Sequence, residues 1–399
     1  MTLDARVCAA AFFIYLGIGG IGPILPEVRR DLGLSAAELG AVVSAFGFAR
    51  LCVDLPAGAV AARLGFRAPF LLGALLLGSG SLWSAKAAGV PALVGGQILA
   101  GLGCVFCHVT SLVVLSRRTA GGRSGRTMGL YFGATFAGLA LGGPVAGQVT
   151  AAFGWRAAFG VAAGSAIAGL AVALLTGSDP VDMSREPAGA VERTRWKPLL
   201  APGLVSIYLL HFTALFLWAG VRTAMWPSLA SEAGLSVRAI GVALGAGSFV
   251  TLATLASAGR LGDRWGKVPV LSLGLVISVV GLLVPVLAGG ALALLVSLVL
   301  LDVGQGLLAP TASALLADVY RQPGIGIATG LMRLLGDTGW LVGPLLVTGA
   351  IQWRDSSLAL GLAALVPLGN LILLRAAGPS GRAGGGPQFA AAAAGARGT

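Results

Sequence analysis

The feature that most constrains this chain is a series of apolar stretches, each about 20 residues long, separated by short polar turns. A stretch of about that length forms a helix that crosses the hydrocarbon core of a bilayer. Only 11% of the 399 residues are charged and 56% are hydrophobic, which is not the composition of a soluble domain. The strands of a membrane β-barrel would be about 10 residues long with alternating polarity, and the sequence shows none. We therefore predict an all-α membrane protein.

The apolar stretches predict twelve membrane-spanning helices, six in each half of the chain. Residues 1–176 form the predicted N-terminal bundle and residues 203–376 the C-terminal bundle. Residues 177–202 form a cytoplasmic linker, and residues 377–399, rich in Gly and Ala, form a disordered cytoplasmic tail. The predicted spans are 8–27, 38–59, 68–86, 91–116, 126–151, 157–176, 203–229, 236–259, 268–289, 291–319, 325–351 and 356–376.

The two halves also share sequence at a fixed offset of 201 residues. Between Pro26/Pro227 and Gly73/Gly274 the offset holds without a gap, and 14 of the 48 residue pairs are identical. The matches include glycine, proline, serine and arginine, so apolar composition alone does not explain them. We infer two copies of one unit of about 200 residues, arranged as two pseudo-symmetric bundles.

Basic residues are concentrated in the turns on one side of the predicted membrane. An even number of spans places both termini on one side, which carries 18 of the 27 Lys and Arg residues, whereas the opposite turns carry 6. Loops that face the cytoplasm are enriched in Lys and Arg. We therefore predict a multi-pass protein of the cytoplasmic (inner) membrane with both termini in the cytoplasm. The formal charge of +12 then indicates topology and contact with anionic lipid, not binding of nucleic acid.

Several ionisable residues fall inside the predicted spans, where a charge costs about 2.5–3.5 kcal/mol unless it has a partner or a wet cavity. Away from the span ends they occur in spans 2, 4, 7, 10 and 11, and spans 3, 6, 9 and 12 carry none there. We expect the first group of helices to line a polar cavity and the second group to face lipid. The candidate cavity residues are Arg50, Asp54, His108, Arg222, Asp302, Arg333 and Asp337, together with Tyr15 and Trp218, which can stack on a flat substrate.

The spacing of these residues leaves their roles open. Arg50–Asp54 and Arg333–Asp337 are each four residues apart on one helix face. Either each pair neutralises itself and stiffens its helix, or an aspartate alternates between its arginine and a proton. Asp302 has no arginine on its own helix, which makes it the best single candidate for a protonatable coupling site.

The other polar residues also allow two interpretations. Arg222 lies four residues from both Trp218 and Trp226, so it either forms cation–π contacts or binds an anionic group of a substrate. His108 and His211 either relay protons or are hydrogen-bonded packing residues.

The turns after spans 2 and 8 resemble the signature G-x-L-A-D-R-x-G-R/K of the major facilitator superfamily of secondary transporters. The first turn has Ala62 where the signature has Asp, and it also departs at Phe66. The resemblance implies two six-helix halves that alternate access, with these turns closing the cytoplasmic side and the first one weakened. The matching residues are Gly58, Arg63, Gly65 and Arg67 in the first copy, and Gly259, Leu261, Asp263, Arg264, Gly266 and Lys267 in the second.

Two further stretches resemble patterns of the same family. Residues 97–103 resemble R-x-x-Q-G-x-G. Gln97 stands where the pattern has an arginine that is associated with proton coupling. Residues 138–148 resemble the G-x-x-x-G-P-x-x-G-G pattern of exporters but depart from it at Leu139 and Gln148. The first departure puts the family's usual proton route in doubt. The second pattern either points to export or serves only the bending and close packing of the helices.

Residues and resemblance together predict a secondary transporter that exports a small organic molecule by proton antiport. One alternative is proton-coupled uptake of an organic anion or metabolite, with Arg222 and Arg333 holding a carboxylate. Another is a non-transporting membrane sensor or scaffold. The sequence has no G-x-x-x-x-G-K-[ST] loop, clustered metal ligands or nucleophile constellation, so we expect no ATP, cofactor, metal or enzymatic activity. We expect a monomer whose partners are substrate, protons and the bilayer.

Overall fold

The computed structural model describes residues 3–118, 124–176, 201–319 and 325–376. Within these ranges, twelve helices are long and apolar enough to cross a membrane, and no strand is present. The predicted fold class, an all-α membrane protein with twelve spanning helices, is confirmed. Most of the predicted linker at 177–202 and all of the predicted tail at 377–399 lie outside the described residues.

We number the spanning helices α1 to α12. The first six are α1 (Leu3–Leu32), α2 (Ala36–Leu64), α3 (Arg67–Ala85), α4 (Val90–Arg118), α5 (Ser124–Phe153) and α6 (Trp155–Leu174). The second six are α7 (Pro202–Glu232), α8 (Val237–Trp265), α9 (Lys267–Ala288), α10 (Gly290–Val319), α11 (Ile325–Trp353) and α12 (Ser356–Ala376).

Many of these helices are longer than the predicted spans. α1, for example, continues through Arg29 and Arg30 in its last turn, where basic side chains interact favourably with the helix dipole. Successive helices run in opposite directions, so α1 begins and α12 ends on the same side of the bundle. We call this the termini side, and the opposite side, where α1 ends, the distal side.

Two of the spanning helices are interrupted. α1 is interrupted at Gly20, between the segments Leu3–Gly19 and Ile21–Leu32. α7 contains a π-helical segment, Leu217–Met225, ahead of Pro227. Proline has no backbone N–H, so Pro227 cannot donate the bond to Thr223 that a regular α-helix requires. Segments of π-helix are frequent at functional sites because they re-aim side chains.

The π-helical segment changes which side chains of α7 share a face. A regular helix places Trp226 beside Arg222, as the spacing suggested. In the structure Trp226 is fully buried, and its indole Nε1 donates to the Leu294 carbonyl of α10 at 2.8 Å. Trp226 therefore binds α10, and the cation–π contact of Arg222 among the described residues is with Trp218.

The helices divide into supporting and central ones. Within the halves, α3 packs against α4 and α6, and α9 packs against α10 and α12, while the halves meet along α2–α11 and α5–α8. Large apolar side chains on α3, α6, α9 and α12 are exposed, as expected of surfaces that face lipid. Examples are Leu75, Ile167, Val280, Leu365 and Ile372.

The two halves are in close contact on the distal side. Arg29 Nη1 lies 3.3 Å from Glu232 Oε1, which joins the end of α1 to the end of α7. A Cβ added to Gly143 would lie 2.7 Å from the Gly241 carbonyl oxygen, and one on Gly241 would lie 2.5 Å from the Gly143 carbonyl oxygen. Only glycine allows the backbones of α5 and α8 to approach this closely. The bundle is therefore closed on its distal side.

We expect Gly241→Ala to separate the distal ends of the halves, because the added methyl group would overlap the α5 backbone. Overpacking of this kind destabilises the closed conformation by about 1–3 kcal/mol. Pulsed EPR between spin labels at Lys86 and Arg354, which lie at distal helix ends in opposite halves, should show longer distances. Gly164→Ala is the matched control, because no atom lies within 4 Å of its added Cβ. Unchanged distances in Gly241→Ala would contradict the contact.

Candidate functional site

Four charged side chains of α2 and α11 form two ion pairs across the interface between the halves. Arg50 Nη2 lies 2.8 Å from Asp337 Oδ1. Arg333 binds Asp54 through both carboxylate oxygens, with Nε–Oδ2 at 2.7 Å and Nη2–Oδ1 at 2.5 Å. We call these four residues the charge ladder.

The charge ladder shows which arginine binds which aspartate. Each arginine binds the aspartate of the opposite helix, so neither pair neutralises itself along its own helix. Residues four apart on a helix point the same way, here towards the facing helix. Arg333 and Asp54 meet in the favourable fork geometry, whereas Arg50 contacts a single oxygen of Asp337.

The charge ladder is largely buried. The Asp337 side chain is 2% exposed and that of Arg50 is 11% exposed. The guanidinium of Arg50 also lies 5.2 Å from the centre of the Trp340 ring. Breaking a buried ion pair by removing one partner costs about 3–5 kcal/mol, because a lone charge is left behind. The charge ladder therefore ties the halves together in the middle of α2 and α11.

A third ion pair lies within the second half, between α7 and α10. Arg222 Nε donates to Asp302 Oδ1 at 2.7 Å, and Arg222 Nη2 donates to the Leu244 carbonyl at 2.7 Å and to Ser248 Oγ at 3.0 Å. Thr251 Oγ1 also donates to Asp302 Oδ1, at 2.9 Å. Sequence reasoning had selected both charged residues but not their pairing. The pairing could have been predicted from the similar depths of Arg222 in span 7 and Asp302 in span 10.

The three aspartates differ in how their oxygens are used. Asp54 accepts hydrogen bonds at both oxygens. Asp302 Oδ2 and Asp337 Oδ2 are buried and have no hydrogen-bond partner among the described residues. An acceptor buried without a donor is unfavourable. Within the described part of the chain, Asp302 and Asp337 thus each keep one unsatisfied oxygen, whereas Asp54 keeps none.

Asp302 is held against the backbone of α8. Its side chain is fully buried, and a Cβ added to Gly247 would lie only 2.0 Å from Oδ2. Sequence reasoning missed Gly247, Ser248 and Thr251, because small residues in an apolar helix carry no chemical signal by themselves. Their role becomes visible only when α8 is packed against α7 and α10.

A cavity of about 40 Å³ lies between the halves, next to Arg222 and Trp340. A water molecule requires about 10–15 Å³ of such a cavity, so this one has room for about three waters. It is too small for an organic molecule in this conformation. Its walls are largely apolar and come from both halves: Ile18, Gly19, Ile21, Gly22, Val43, Phe46, Gln97, Leu139, Trp218, Arg222, Thr223, Leu244 and Trp340.

Arg222 and Trp218 are the predicted cavity residues that line this space. The Arg222 guanidinium carbon lies 4.2 Å from the centre of the Trp218 ring, so the cation–π contact is present. The same guanidinium lies at the wall of the cavity, so the contact does not exclude a role in binding an anion. Asp302 lies behind Arg222 and does not line the cavity.

The remaining polar candidates form a separate cluster in the first half. The hydroxyls of Tyr15 and Tyr131 each lie 2.8 Å from Nδ1 of His108, which joins α1, α4 and α5. His211 of α7 lies against Gly336 of α11, and its Nδ1 is buried without a partner among the described residues. The structure thus separates His108 and Tyr15 from the lining of the cavity.

The two motif turns lie on the termini side. Gly65 and Gly266 end α2 and α8 with φ angles of +73° and +88°, where a side chain is strained. Lys267 of the second turn forms an ion pair with Asp318 of α10 and donates to the Ala314 carbonyl at 3.0 Å. The other motif residues lie near the helix ends, where Arg63, Asp263 and Arg264 are exposed and Gly58 and Gly259 lie in the last turns.

We expect Arg333→Asp to destabilise the protein by about 3–5 kcal/mol, because Asp54 then faces a second buried carboxylate. Adding Asp54→Arg should restore most of the loss by rebuilding the pair with its direction reversed. Adding Asp337→Arg instead should not, because Asp337 is the partner of Arg50. Thermal unfolding of the three variants, followed by tryptophan fluorescence, measures this. Equal rescue by Asp337→Arg would show pairing along α11 rather than across the interface.

Comparison with known proteins identifies the family of this chain. A sequence model of the Major Facilitator Superfamily matches residues 7–218 and 207–395. The quinolone resistance protein NorA of Staphylococcus aureus is 31% identical over 104 residues, or 26% of this chain and 27% of NorA. The multidrug efflux protein YfmO of Bacillus subtilis (strain 168) is 27% identical over 208 residues, or 52% of each chain. The matched segments thus span about a quarter of NorA and half of YfmO.

The fold is also found in solved structures. The crystal structure of the nucleoside transporter NupG matches with a TM-score of 0.73 over 94% of this chain and 99% of NupG, at 14% sequence identity. At that identity the likeness shows the fold alone. The family match, in contrast, covers nearly the whole sequence. This chain therefore belongs to the major facilitator superfamily, a family of multi-pass membrane transporters and not of enzymes.

Proposed function

We propose that this transporter exports a small organic molecule across the cytoplasmic membrane in exchange for protons. The observation that carries the proposal is the cavity between the halves, with the Arg222–Asp302 pair in and behind its wall. A buried carboxylate with a free oxygen supplies a proton site next to the space where a substrate would bind. The similarity to NorA and YfmO, which are named for drug resistance and efflux, supports the export direction.

Alternating access supplies the transport cycle in this proposal. The halves are closed on the distal side by the Gly143–Gly241 contact and the Arg29–Glu232 pair. Rocking of the halves would open the distal side and enlarge the cavity, and the charge ladder lies at the interface about which they would move. The cycle needs no ATP, cofactor or partner subunit, and the proton gradient supplies the energy.

The orientation follows from the distribution of charge. The termini side carries 18 of the 27 basic residues, so we assign it to the cytoplasm. We expect a green fluorescent protein fused after Thr399 to fluoresce in a bacterial host and an alkaline phosphatase fused there to be inactive. A phosphatase fused after Lys86, in a distal turn, should be active. The reverse pattern would invert the topology and turn proposed export into uptake.

Proton coupling is tested by Asp302→Asn, because an amide cannot take up the proton. With a quinolone as the first compound, we expect wild-type protein in liposomes to accumulate it when a pH gradient is imposed. Asp302→Asn should lose at least about tenfold of the gradient-driven rate while still exchanging labelled for unlabelled compound. Asp31→Asn removes a distal carboxylate paired with Arg156 and should retain coupling.

Three results would contradict the proposal. Full gradient-driven transport by Asp302→Asn would remove Asp302 from coupling. Wild-type flux that persists unchanged after the gradient is collapsed would remove the proton. Absence of flux for every compound that binds the protein would favour the sensor or scaffold.

A second candidate, proton-coupled uptake of an organic anion, is favoured by one specific observation. Arg222 is the only charged residue among those that line the cavity. The companion role expected for Arg333 is not supported, because Arg333 is bound by Asp54 and does not line that cavity. A carboxylate in this space would therefore bind Arg222 alone.

A further inference from the structure

We propose that a cleft on the distal side, between the ends of α1 and α7, binds a phosphate group, and that the bound phosphate holds the two halves in the closed conformation. We call it the distal cleft, and Arg29, Arg30, Ser228, Ser231 and Glu232 are among the residues that line it. It shares no lining residue with the cavity beside Arg222. Binding there requires no assumption about which compound the protein transports.

The distal cleft is large enough for a ligand and is open to the solution. Its volume is about 480 Å³, and pockets that bind small molecules have volumes of about 300–1,000 Å³. The side chains of Arg30 and Glu232 are 66% and 61% exposed. A solute on the distal side can therefore reach the cleft although the two halves are closed against each other.

The lining carries more positive than negative charge. Two guanidinium groups and one carboxylate line the cleft. Nη1 of Arg29 contacts Glu232, Nη1 of Arg30 binds Glu27 at 3.0 Å, and Nη2 of Arg30 lies 3.5 Å from Ser231 Oγ. Nη2 of Arg29 and Nε of Arg30 make no hydrogen bond with the described residues, so they are available to a ligand. Guanidinium groups bind phosphate oxygens in a fork geometry.

Ser228 provides an independent indication of a ligand. It is only 7% exposed, and its buried Oγ has no hydrogen-bond partner among the described residues. A serine within a helix can donate to the carbonyl four residues earlier, as Ser248 does to Leu244 in α8. Ser228 follows the π-helical segment of α7 and makes no such bond. A buried hydroxyl without an acceptor is unfavourable, and a phosphate oxygen in the cleft would supply the acceptor.

The internal repeat explains why there is a cleft at this place. The offset of 201 residues makes the ends of α1 and α7 equivalent, and it pairs Arg29 with Ala230 and Arg30 with Ser231. An exact repeat would bring four arginines to the junction of the two halves, where like charges repel. The small residues of the second copy leave one pair of arginines facing hydroxyl groups. The cleft thus has basic groups on one wall and neutral donors on the other.

A phosphate in the distal cleft would join the two halves. The arginines belong to α1 in the first half, and Ser228 and Ser231 belong to α7 in the second half. These helix ends must separate when the distal side opens, so an open conformer loses one wall of the site. The phosphate therefore binds the closed conformer more tightly and raises its population by mass action. In the proposed transport cycle, phosphate on the distal side would slow opening.

Glu232 distinguishes a phosphate site from a purely structural contact. In the empty cleft its carboxylate occupies Nη1 of Arg29, so a phosphate competes with it for that guanidinium. Glu232→Gln removes the competing charge and should strengthen phosphate binding by up to about fivefold, the range expected for an exposed ion pair. A purely structural role predicts only that the empty closed conformer becomes less populated.

A titration of the full-length protein with inorganic phosphate tests the proposal. The protein is purified in detergent without phosphate, and chloride keeps the ionic strength constant during the titration. Pulsed EPR between labels at Lys86 and Arg354 reports the closed population, and thermal unfolding reports binding. We expect both the closed population and the Tm to rise with phosphate and to saturate. Chloride alone should have neither effect.

Variants locate the phosphate. Arg29→Gln and Arg30→Gln should each weaken phosphate binding by about tenfold, because each removes charged hydrogen bonds. Ser228→Ala should weaken it by a smaller factor with little effect on folding, so it and Glu232→Gln decide the matter if an arginine variant does not fold. Arg238→Gln is the matched control, because Arg238 is an exposed distal arginine that does not line the cleft. It should leave phosphate binding unchanged.

A second arm identifies the source of the phosphate group. Protein in vesicles of phosphatidylglycerol without free phosphate is compared with protein in detergent. If a lipid headgroup occupies the cleft, the closed population is already high in the vesicles, falls in Arg30→Gln, and does not respond to added phosphate. If free phosphate is the ligand, the titration gives the same response in vesicles as in detergent.

Three results would overturn the proposal. The first is an equal response to chloride and phosphate in detergent with no rise of the closed population in the vesicles. The second is phosphate binding that is unchanged in both Arg30→Gln and Ser228→Ala. The third is weaker phosphate binding in Glu232→Gln than in wild type. Each of these would leave the proposed transport function standing, because transport is measured separately as flux in liposomes.

Discussion

A bilayer interior does not solvate charge, and the arrangement of this bundle follows from that constraint. Three arginines that lie far from the helix ends, Arg50, Arg222 and Arg333, each bind an aspartate from another helix. A lone charge at that depth costs several kcal/mol, so each pair holds two helices at a fixed distance. Two of the pairs cross between the halves, and the third fixes α7 against α10. The charges that would otherwise prevent insertion thus define how the bundle packs.

The three ion pairs differ in whether both oxygens of the aspartate have a hydrogen-bond partner. Arg333 and Asp54 satisfy each other at both carboxylate oxygens, which suits a structural tie. Asp302 and Asp337 each keep one buried oxygen without a partner among the described residues. In the proposed coupling the proton binds an oxygen that has no hydrogen-bond partner, and Asp302 offers such an oxygen whereas Asp54 does not.

The sequence predicted those features that depend on length and composition. Twelve helices follow from stretches of about 20 apolar residues, because the thickness of the bilayer fixes that length. The lipid-facing roles of α3, α6, α9 and α12 follow from their lack of charge. The candidate residues Arg50, Arg222 and Asp302 were found because an ionisable group is conspicuous in an apolar helix.

The partners of those residues could not be read from spacing. Arg50 and Asp337 are 287 residues apart, and Arg222 and Asp302 are 80 apart, so only the packing of helices brings them together. The i,i+4 spacing pointed to the wrong partners, because it describes one helix in isolation. The π-helical segment of α7 was also missed, although Pro227, which lacks the N–H of a regular helix, lies just after it.

The glycine contact between α5 and α8 has a pharmacological consequence. With Gly143 and Gly241 backbone to backbone, a blocking compound that approaches from the distal face finds no entrance to this conformer. Such a compound could bind only when the distal side opens, or after crossing the membrane to the other side of the protein. Its potency would then depend on how long the protein dwells in each conformer, and not only on how well it fits the site.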